Sequence, residues 1–288
     1  RCPAPPLLSG AGTSVPAPSA SFRRTRSGVC REPSRCLAWA AMSVDLVVVA
    51  VAAFGCGVVN SLAGGGSLLL FPALVATGMG TLAANVTNSV ITLPGYVGGA
   101  VGFRNELREE RRRLPPLLAA AVVGSSIGCA LLLATSEAAF DVVVPVLVAV
   151  ASLLIWLQPT VAARVGTPPG AQARGVAPLG VAAATVYGGY FGAGLGVLLL
   201  AVLGFTVAAP FHRLNAMKTG LSVADATVSL VVFGLFGPVD WATVAVGAPL
   251  TLLGGYAGAR LVRRVDERVL RVAVVGFGLV VAAVLAFT

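Results

Sequence analysis

Charged residues are scarce in this sequence. Asp, Glu, Lys and Arg make up 11% of its 288 residues, whereas a soluble domain carries about a quarter. Hydrophobic residues make up 57% of the chain, and the mean hydropathy is +0.92. The apolar runs are continuous and reach about 20 positions, the length that crosses a bilayer as a helix, and they lack the alternation of a barrel strand. The sequence therefore excludes a soluble globular protein and predicts an all-α integral membrane protein.

The sequence also lacks the residues of familiar catalytic and cofactor sites. It has one His and five Cys without metal-site spacing, and no lysine follows a glycine run as in a P-loop. Cys56 and Cys129 lie in apolar runs, where cysteine packs as a small core residue. We therefore expect no enzyme activity, no cofactor and no metal. The net charge of +9 comes from arginines between apolar runs, which indicates membrane topology rather than a nucleic-acid partner.

The first 41 residues differ from the rest in composition. They are rich in Pro, Ser and Arg and lack a helical apolar stripe, and the first Met is Met42, directly before the first apolar run. Two interpretations remain open: a disordered or targeting tail, or an upstream extension with translation beginning near Met42, which we favour. The sequence then predicts a first transmembrane repeat over 42–158, a cytoplasmic linker over 159–174 and a second transmembrane repeat over 175–288.

Ten apolar segments follow Met42, eight of them long and two short and discontinuous. The short ones hold fewer residues than the roughly 20 that a bilayer core needs, so eight full spans plus two re-entrant pieces is the alternative to ten crossings. The segments are 44–62, 67–79, 82–102, 115–135, 139–157, 175–191, 195–208, 212–236, 240–259 and 269–287.

The two halves of the sequence repeat each other at an offset of 129 to 130 residues. The glycine-rich stretch 62–74 aligns with 191–203, and 84–88 aligns with 214–218. Because each half has five segments, the second half enters the membrane from the opposite face. The sequence therefore predicts two inverted five-segment repeats, a common plan of transporters.

The distribution of charge tests this topology independently. With ten crossings, thirteen of the fourteen Lys and Arg residues after Met42 fall on one face, and the other face receives only acidic residues. Basic loops favour the cytoplasm, so we expect a plasma-membrane protein with cytoplasmic basic loops and both termini outside. The basic loop 104–113 is interpreted as a solvated topology anchor.

Short, glycine-interrupted segments at corresponding positions of two halves indicate the binding site of a transporter. Here the clusters 64–66 and 192–196 open the two short helices. A helix start leaves N–H groups unpaired and carries a partial positive charge, which suits an anion. Close helix packing through small residues is the alternative role of these glycines.

Ionisable and polar residues follow each cluster. Lys218, the only lysine of the chain, lies inside an apolar segment, where it either snorkels to the interface or has an anionic partner. Asp225 lies about 10 Å further along the same helix and is the predicted coupling site for a proton or cation. The predicted substrate-binding residues are Asn60, Gly64, Gly65, Gly66, Ser67, Asn85, Thr87, Asn88, Tyr187, Tyr190, Gly192, Gly194, Gly196, Asn215 and Lys218.

Four motifs together resemble a known family. They are Asn-Ser-Leu-Ala-Gly-Gly-Gly-Ser-Leu-Leu-Leu-Phe-Pro-Ala-Leu at 60–74, Ala-Asn-Val-Thr-Asn at 84–88, Tyr-Gly-Gly-Tyr-Phe-Gly-Ala-Gly-Leu-Gly at 187–196 and Leu-Asn-Ala-Met-Lys at 214–218. This set is similar to that of the sulfite exporter TauE/SafE family of membrane permeases, over roughly residues 44–287. The resemblance implies a permease or exporter of small anions such as sulfite or organosulfonates.

The expected function is therefore a membrane transporter that exports a small anion, working by alternating access and coupled to an ion or proton gradient. A passive anion channel and a non-transporting membrane scaffold subunit are the alternatives. The expected partners are the small anionic substrate, the lipid bilayer and a coupling proton or cation, and a homo-oligomer is compatible with the sequence.

Overall fold

The computed structural model describes residues 33–62, 64–164 and 176–261, and in those residues all secondary structure is helical. By their internal contacts, residues 1–40 and 41–288 form separate units. The helices are α1 (Pro33–Leu62), α2 (Ser67–Ala76), α3 (Thr81–Gly102), α4 (Arg104–Glu109), α5 (Leu114–Ala134), α6 (Glu137–Arg164), α7 (Val176–Tyr190), α8 (Leu195–Thr206), α9 (Phe211–Phe236) and α10 (Trp241–Leu261).

The first nine predicted segments correspond to helices, and the tenth, 269–287, lies outside the described residues. Three details of the helices differ from the predicted segments. Helix α1 begins at Pro33, before the first predicted segment, because the Ala and Leu residues of 33–41 favour a helix that continues into the apolar run. Helix α6 continues to Arg164, past the start of the predicted linker 159–174, since membrane helices tolerate an internal proline. The short helix α4 in the basic loop was not predicted.

Among the residues that the structure describes, five helices are long and apolar enough to cross a membrane. They are the Asp45–Leu62 part of α1 together with α5, α6, α9 and α10. The 10-residue α2 and the 12-residue α8 would each span only about 15 to 18 Å, roughly half of a bilayer core. Large apolar side chains such as Val51, Val142 and Leu235 are exposed on the outside of the long helices. This arrangement fits a multi-pass membrane protein whose outer surface faces lipid.

Glycines bring several pairs of helices into close backbone contact, and two of these pairs make matching contacts. A Cβ atom at Gly124 of α5 would lie 2.3 Å from the carbonyl oxygen of Ala182 in α7, and one at Gly254 of α10 would lie 2.2 Å from the carbonyl oxygen of Phe54 in α1. Only glycine permits such an approach. The contacts one turn further on are Gly128 with Val186 and Gly258 with Val58. The same seam therefore occurs twice, once between α5 and α7 and once between α10 and α1.

Helices α3 and α9 contact each other and carry most of the buried polar side chains. Helix α3 also packs on α10, and α9 packs on α5 and α8. Polar groups in hydrocarbon are expensive unless paired, so they face the interior of the bundle. The buried polar residues of these two helices are Asn85, Thr87, Asn88, Ser89, Thr92, Asn215, Lys218, Thr219, Ser222, Asp225 and Ser229.

An ion-pair network ties the basic loop to the start of α9. The Arg213 guanidinium lies 2.7 Å from Glu109 and 3.5 Å from Glu110, and Arg113 lies 3.0 Å from Glu110. Glu110 is only 5% exposed. The interpretation of this loop as merely solvated is therefore wrong for Glu110, because a buried carboxylate needs paired cations.

Candidate functional site

The two glycine clusters contact each other at the centre of the site. A Cβ atom at Gly64 would lie 2.6 Å from Gly196 Cα, and one at Gly196 would lie 2.5 Å from Gly64 Cα. Gly66 is the N-cap of α2, and Gly194 is the N-cap of α8 in a left-handed conformation with φ of 80°. The starts of the two short helices therefore meet backbone to backbone. Gly65 is buried within the same turn.

Asn60, in the last turn of α1, contacts both the first cluster and α9. Its side-chain Oδ1 accepts the Gly66 N–H at 2.8 Å, and its main-chain carbonyl accepts a hydrogen bond from Lys218 Nζ at 3.2 Å. The prediction that the first helix start leaves its N–H groups to a ligand is therefore wrong for Gly66, because the Asn60 amide occupies that donor. The helix dipole still leaves partial positive charge at this end of α2.

Lys218 is buried, with 1% of its surface exposed. It lies seven residues after Phe211, the first residue of α9, which is about two turns into the helix. The snorkelling interpretation is wrong, because the ammonium turns inward to the end of α1 rather than outward to the interface. A buried ammonium in a membrane helix is held only where polar groups surround it. The site therefore contains the amine of Lys218 next to the junction of α1 and α2.

Asn85 and Asn215 make the same bond in the two halves. Asn85 Nδ2 donates to the carbonyl oxygen of Tyr190 at the end of α7 at 3.0 Å, and Asn215 Nδ2 donates to the carbonyl oxygen of Ser61 near the end of α1 at 3.1 Å. The Oδ1 atoms of both amides are buried, and the described residues offer neither of them a hydrogen-bond partner. Asn85 aligns with Asn215, and Ser61 aligns with Tyr190, at the offset of 129 to 130 between the two halves. Each amide thus holds a helix end of the opposite half.

A small cavity lies between α3 and α9, beside the glycine clusters. Four of the predicted residues line it: Ser67, Asn88, Gly192 and Asp225. Its volume is about 10 Å³, room for about a single water molecule. The Asp225 carboxylate accepts a hydrogen bond from the Ser125 hydroxyl of α5 at 2.5 Å. The cavity therefore brings the start of α2, the middle of α3, the loop before α8 and the middle of α9 to one place.

Twelve of the fifteen predicted substrate-binding residues do not line this cavity, and three of these twelve contact loops or neighbouring helices. The Tyr187 hydroxyl donates to the Ala193 carbonyl oxygen at 2.7 Å, and Thr87 Oγ1 accepts the Asp240 N–H at 3.1 Å. The Tyr190 ring packs on Phe140, with ring centroids 6.1 Å apart. These side chains hold loops and helix ends in position around the site.

The sequence reasoning missed several residues that line the cavity. Thr92 and Tyr96 follow Asn88 at intervals of four residues on α3, and Ser229 follows Asp225 at the same interval on α9. Residues four apart share a helix face, so this polar periodicity is the signal that could have found them. The other missed lining residues are Ser89, Gly188 and Ala226.

Comparisons with known proteins show which family and relatives the chain is similar to. The profile of the family described as "Sulfite exporter TauE/SafE" matches residues 49–285. A "Probable membrane transporter protein" of Haemophilus influenzae is 24% identical over 242 residues, which cover 81% of this chain and 92% of that protein. The "Probable membrane transporter protein YfcA" of Escherichia coli K12 is 28% identical over 240 residues, covering 80% of this chain and 86% of that protein. No solved structure matches the chain.

Proposed function

Since the chain belongs to the sulfite exporter TauE/SafE family of membrane transporters, we propose that it is a secondary transporter for a small anion such as sulfite or an organosulfonate. The observation that carries this proposal is the buried ammonium of Lys218, held at the end of α1 where the starts of α2 and α8 meet. We place the protein in the plasma membrane with its basic loops in the cytoplasm.

The charges around Lys218 favour an anion. The starts of α2 and α8 meet each other, and Asn60 bonds both to the start of α2 and to the Lys218 amine. Helix starts attract negative charge within about one turn. In a membrane interior this attraction is stronger than in water. A small oxyanion also brings acceptor oxygens for main-chain N–H groups. A neutral solute would gain nothing from the positive electrostatic potential at the helix starts.

The paired contacts of the two halves support alternating access between inverted repeats over 42–158 and 175–288. The bonds of Asn85 and Asn215, and the two glycine seams, correspond at nearly constant offsets. A repeat plan of this kind allows one half to rock against the other around a fixed site. Such a movement would open the site to each side of the membrane in turn, which a carrier requires and a passive channel does not.

Transport would be driven by an ion or proton gradient, with Asp225 as the coupling group. Its carboxylate is buried at the middle of a membrane helix, where ionisable groups serve ion pathways and proton relays. The sequence contains no P-loop lysine through which ATP could supply the energy.

The proposal is tested by flux in proteoliposomes that contain the full chain. Sulfite and a short sulfonate are offered with and without an imposed pH or Na⁺ gradient. We expect saturable, gradient-dependent uptake by the wild type. We expect none by Lys218→Ala or by Lys218→Met, which keeps the side-chain length and removes the charge.

Arg260→Met is the matched control, because it removes a positive charge from an exposed position of α10, and it should leave the flux intact. Normal flux through Lys218→Met would refute the anion site. Absence of flux in a correctly inserted wild type, for both solutes, would favour the scaffold alternative.

A further inference from the structure

The cavity beside Asp225 is lined by oxygen-bearing side chains from three helices. Ser67 begins α2, four residues come from α3, and two come from α9. All seven are at least nine-tenths buried. They are Ser67, Asn88, Ser89, Thr92, Tyr96, Asp225 and Ser229. Gly188 of α7 closes one wall, where a Cβ atom would lie 2.8 Å from Asp225 Oδ1.

We propose that this cavity is a binding site for one monovalent cation of the size of Na⁺, with the Asp225 carboxylate and the Asn88 Oδ1 atom as its principal ligands. The coupling role of this ion rests on the proposed function, whereas the site itself is defined by the residues around it.

The Asn88 side chain points to a cation independently of Asp225. Asn88 is 1% exposed, and its Oδ1 atom is buried without a hydrogen-bond partner in the part of the chain that the structure describes. A buried acceptor without a partner costs roughly 1 to 3 kcal/mol. An electropositive group in the cavity satisfies this oxygen and the carboxylate at once.

The charge of Asp225 and the volume of the cavity together indicate which class of ion binds. Of the described residues that line the cavity, Asp225 alone carries a charge, so one positive charge is neutralised and a second would be left uncompensated. Hard cations prefer carboxylate, carbonyl and hydroxyl oxygens over nitrogen or sulfur ligands. A volume of about 10 Å³ holds one small ion without its water shell.

A cation at this place would join elements of the two proposed repeats. Ser67 and Asn88 belong to the first half, while Asp225 and the Gly188 wall belong to the second half. An ion that binds better in the conformation that brings these elements together shifts the equilibrium toward it. Asp225 and Lys218 lie on one uninterrupted helix, α9, so the ion site and the anion site move together.

The test is direct equilibrium binding of radioactive ²²Na⁺ to the purified full chain in detergent, with no anionic solute added beyond chloride. We expect saturable binding of one ion per chain, displaced by unlabelled Na⁺ and displaced about tenfold less well by K⁺ or not at all by choline. Removing one charged or polar ligand should weaken binding by about tenfold or more. We therefore expect no saturable binding to Asp225→Asn, and weaker binding to Asn88→Ala and Ser229→Ala.

Glu137→Gln is the matched control, since it removes an exposed carboxylate at the start of α6 and should bind ²²Na⁺ as the wild type does. Cooperative thermal unfolding in choline chloride checks that each variant is folded. If Asp225→Asn does not unfold cooperatively, the proposal is judged by ²²Na⁺ binding to Ser229→Ala and Asn88→Ala.

Absence of saturable ²²Na⁺ binding to the wild type from pH 6 to 8, or unchanged binding in the folded ligand variants, would overturn the proposal and leave a proton or a water molecule as the occupant. Because no flux is measured, failure here leaves the anion-transport proposal standing. Failure of the Lys218 flux experiment likewise leaves the ion site standing.

Discussion

The contact between the two glycine clusters makes a quantitative prediction about Gly64→Ala. Two separate effects oppose an alanine at this position. Gly64 has φ of 85°, a left-handed conformation that disfavours a residue with a Cβ atom by roughly 1 to 2 kcal/mol. The new Cβ atom would also lie 2.6 Å from Gly196 Cα. That neighbour is backbone and cannot rotate away, so overpacking adds about 1 to 3 kcal/mol.

Two other glycines separate these effects. Gly78 has nearly the same backbone conformation, with φ of 86°, but a Cβ atom there would meet nothing within 4 Å, so Gly78→Ala should lose only about 1 to 2 kcal/mol. Gly196 has the close contact without the left-handed backbone, so Gly196→Ala should lose about 1 to 3 kcal/mol. Gly64→Ala should lose both amounts, about 2 to 5 kcal/mol in total.

The assay is reversible unfolding by SDS in mixed micelles, followed by tryptophan fluorescence. We expect the free energy of unfolding to fall in the order wild type, Gly78→Ala, Gly64→Ala. The double variant Gly64→Ala/Gly196→Ala should be non-additive, because the two residues touch. If Gly64→Ala loses no more than Gly78→Ala, or if the double variant is additive, the starts of α2 and α8 do not meet as described.

Two further predictions concern bonds between distant segments. Asn85→Ala and Asn215→Ala should each lower the free energy of unfolding by about 1 to 3 kcal/mol, because each variant leaves a helix-end carbonyl without its amide donor. Clearly unequal losses in SDS unfolding would contradict the equivalence of the two halves. Arg213→Ala should lower stability by about 1 kcal/mol, since its side chain is 38% exposed, and that loss should shrink at high salt because exposed charges are screened. An unchanged loss between low and high salt would show that the ion pairs with Glu109 and Glu110 do not contribute.

The sequence alone predicted most of the described helices and suggested a candidate site, because both inferences depend on local patterns. Continuous apolar runs mark the long helices, and the glycine clusters mark where the short ones begin. Lys218 and Asp225 were chosen as site residues because ionisable residues are rare within apolar membrane segments and mark functional sites there. The four-residue spacing of Asn88, Thr92 and Tyr96 would have extended the site in the same way.

What the sequence could not predict depends on which distant segments meet. Nothing local in the sequence indicates that the Asn60 amide occupies the Gly66 N–H, or that Ser125 donates to Asp225. The same holds for Tyr187, which was predicted to bind substrate: nothing local indicates that its hydroxyl donates to the Ala193 carbonyl oxygen. Helix α4 was missed because its six residues are too few to show a helical period.

The small volume of the cavity has a consequence for the membrane potential of the cell that carries this protein. Each elementary charge that crosses a membrane at 100 mV releases about 2.3 kcal/mol, so a standing column of water through a carrier would short-circuit the gradient that drives it. A cavity with room for about a single water holds no such column among the residues that line it. Under the proposed function, this cavity would let the gradient be used only when a solute is moved.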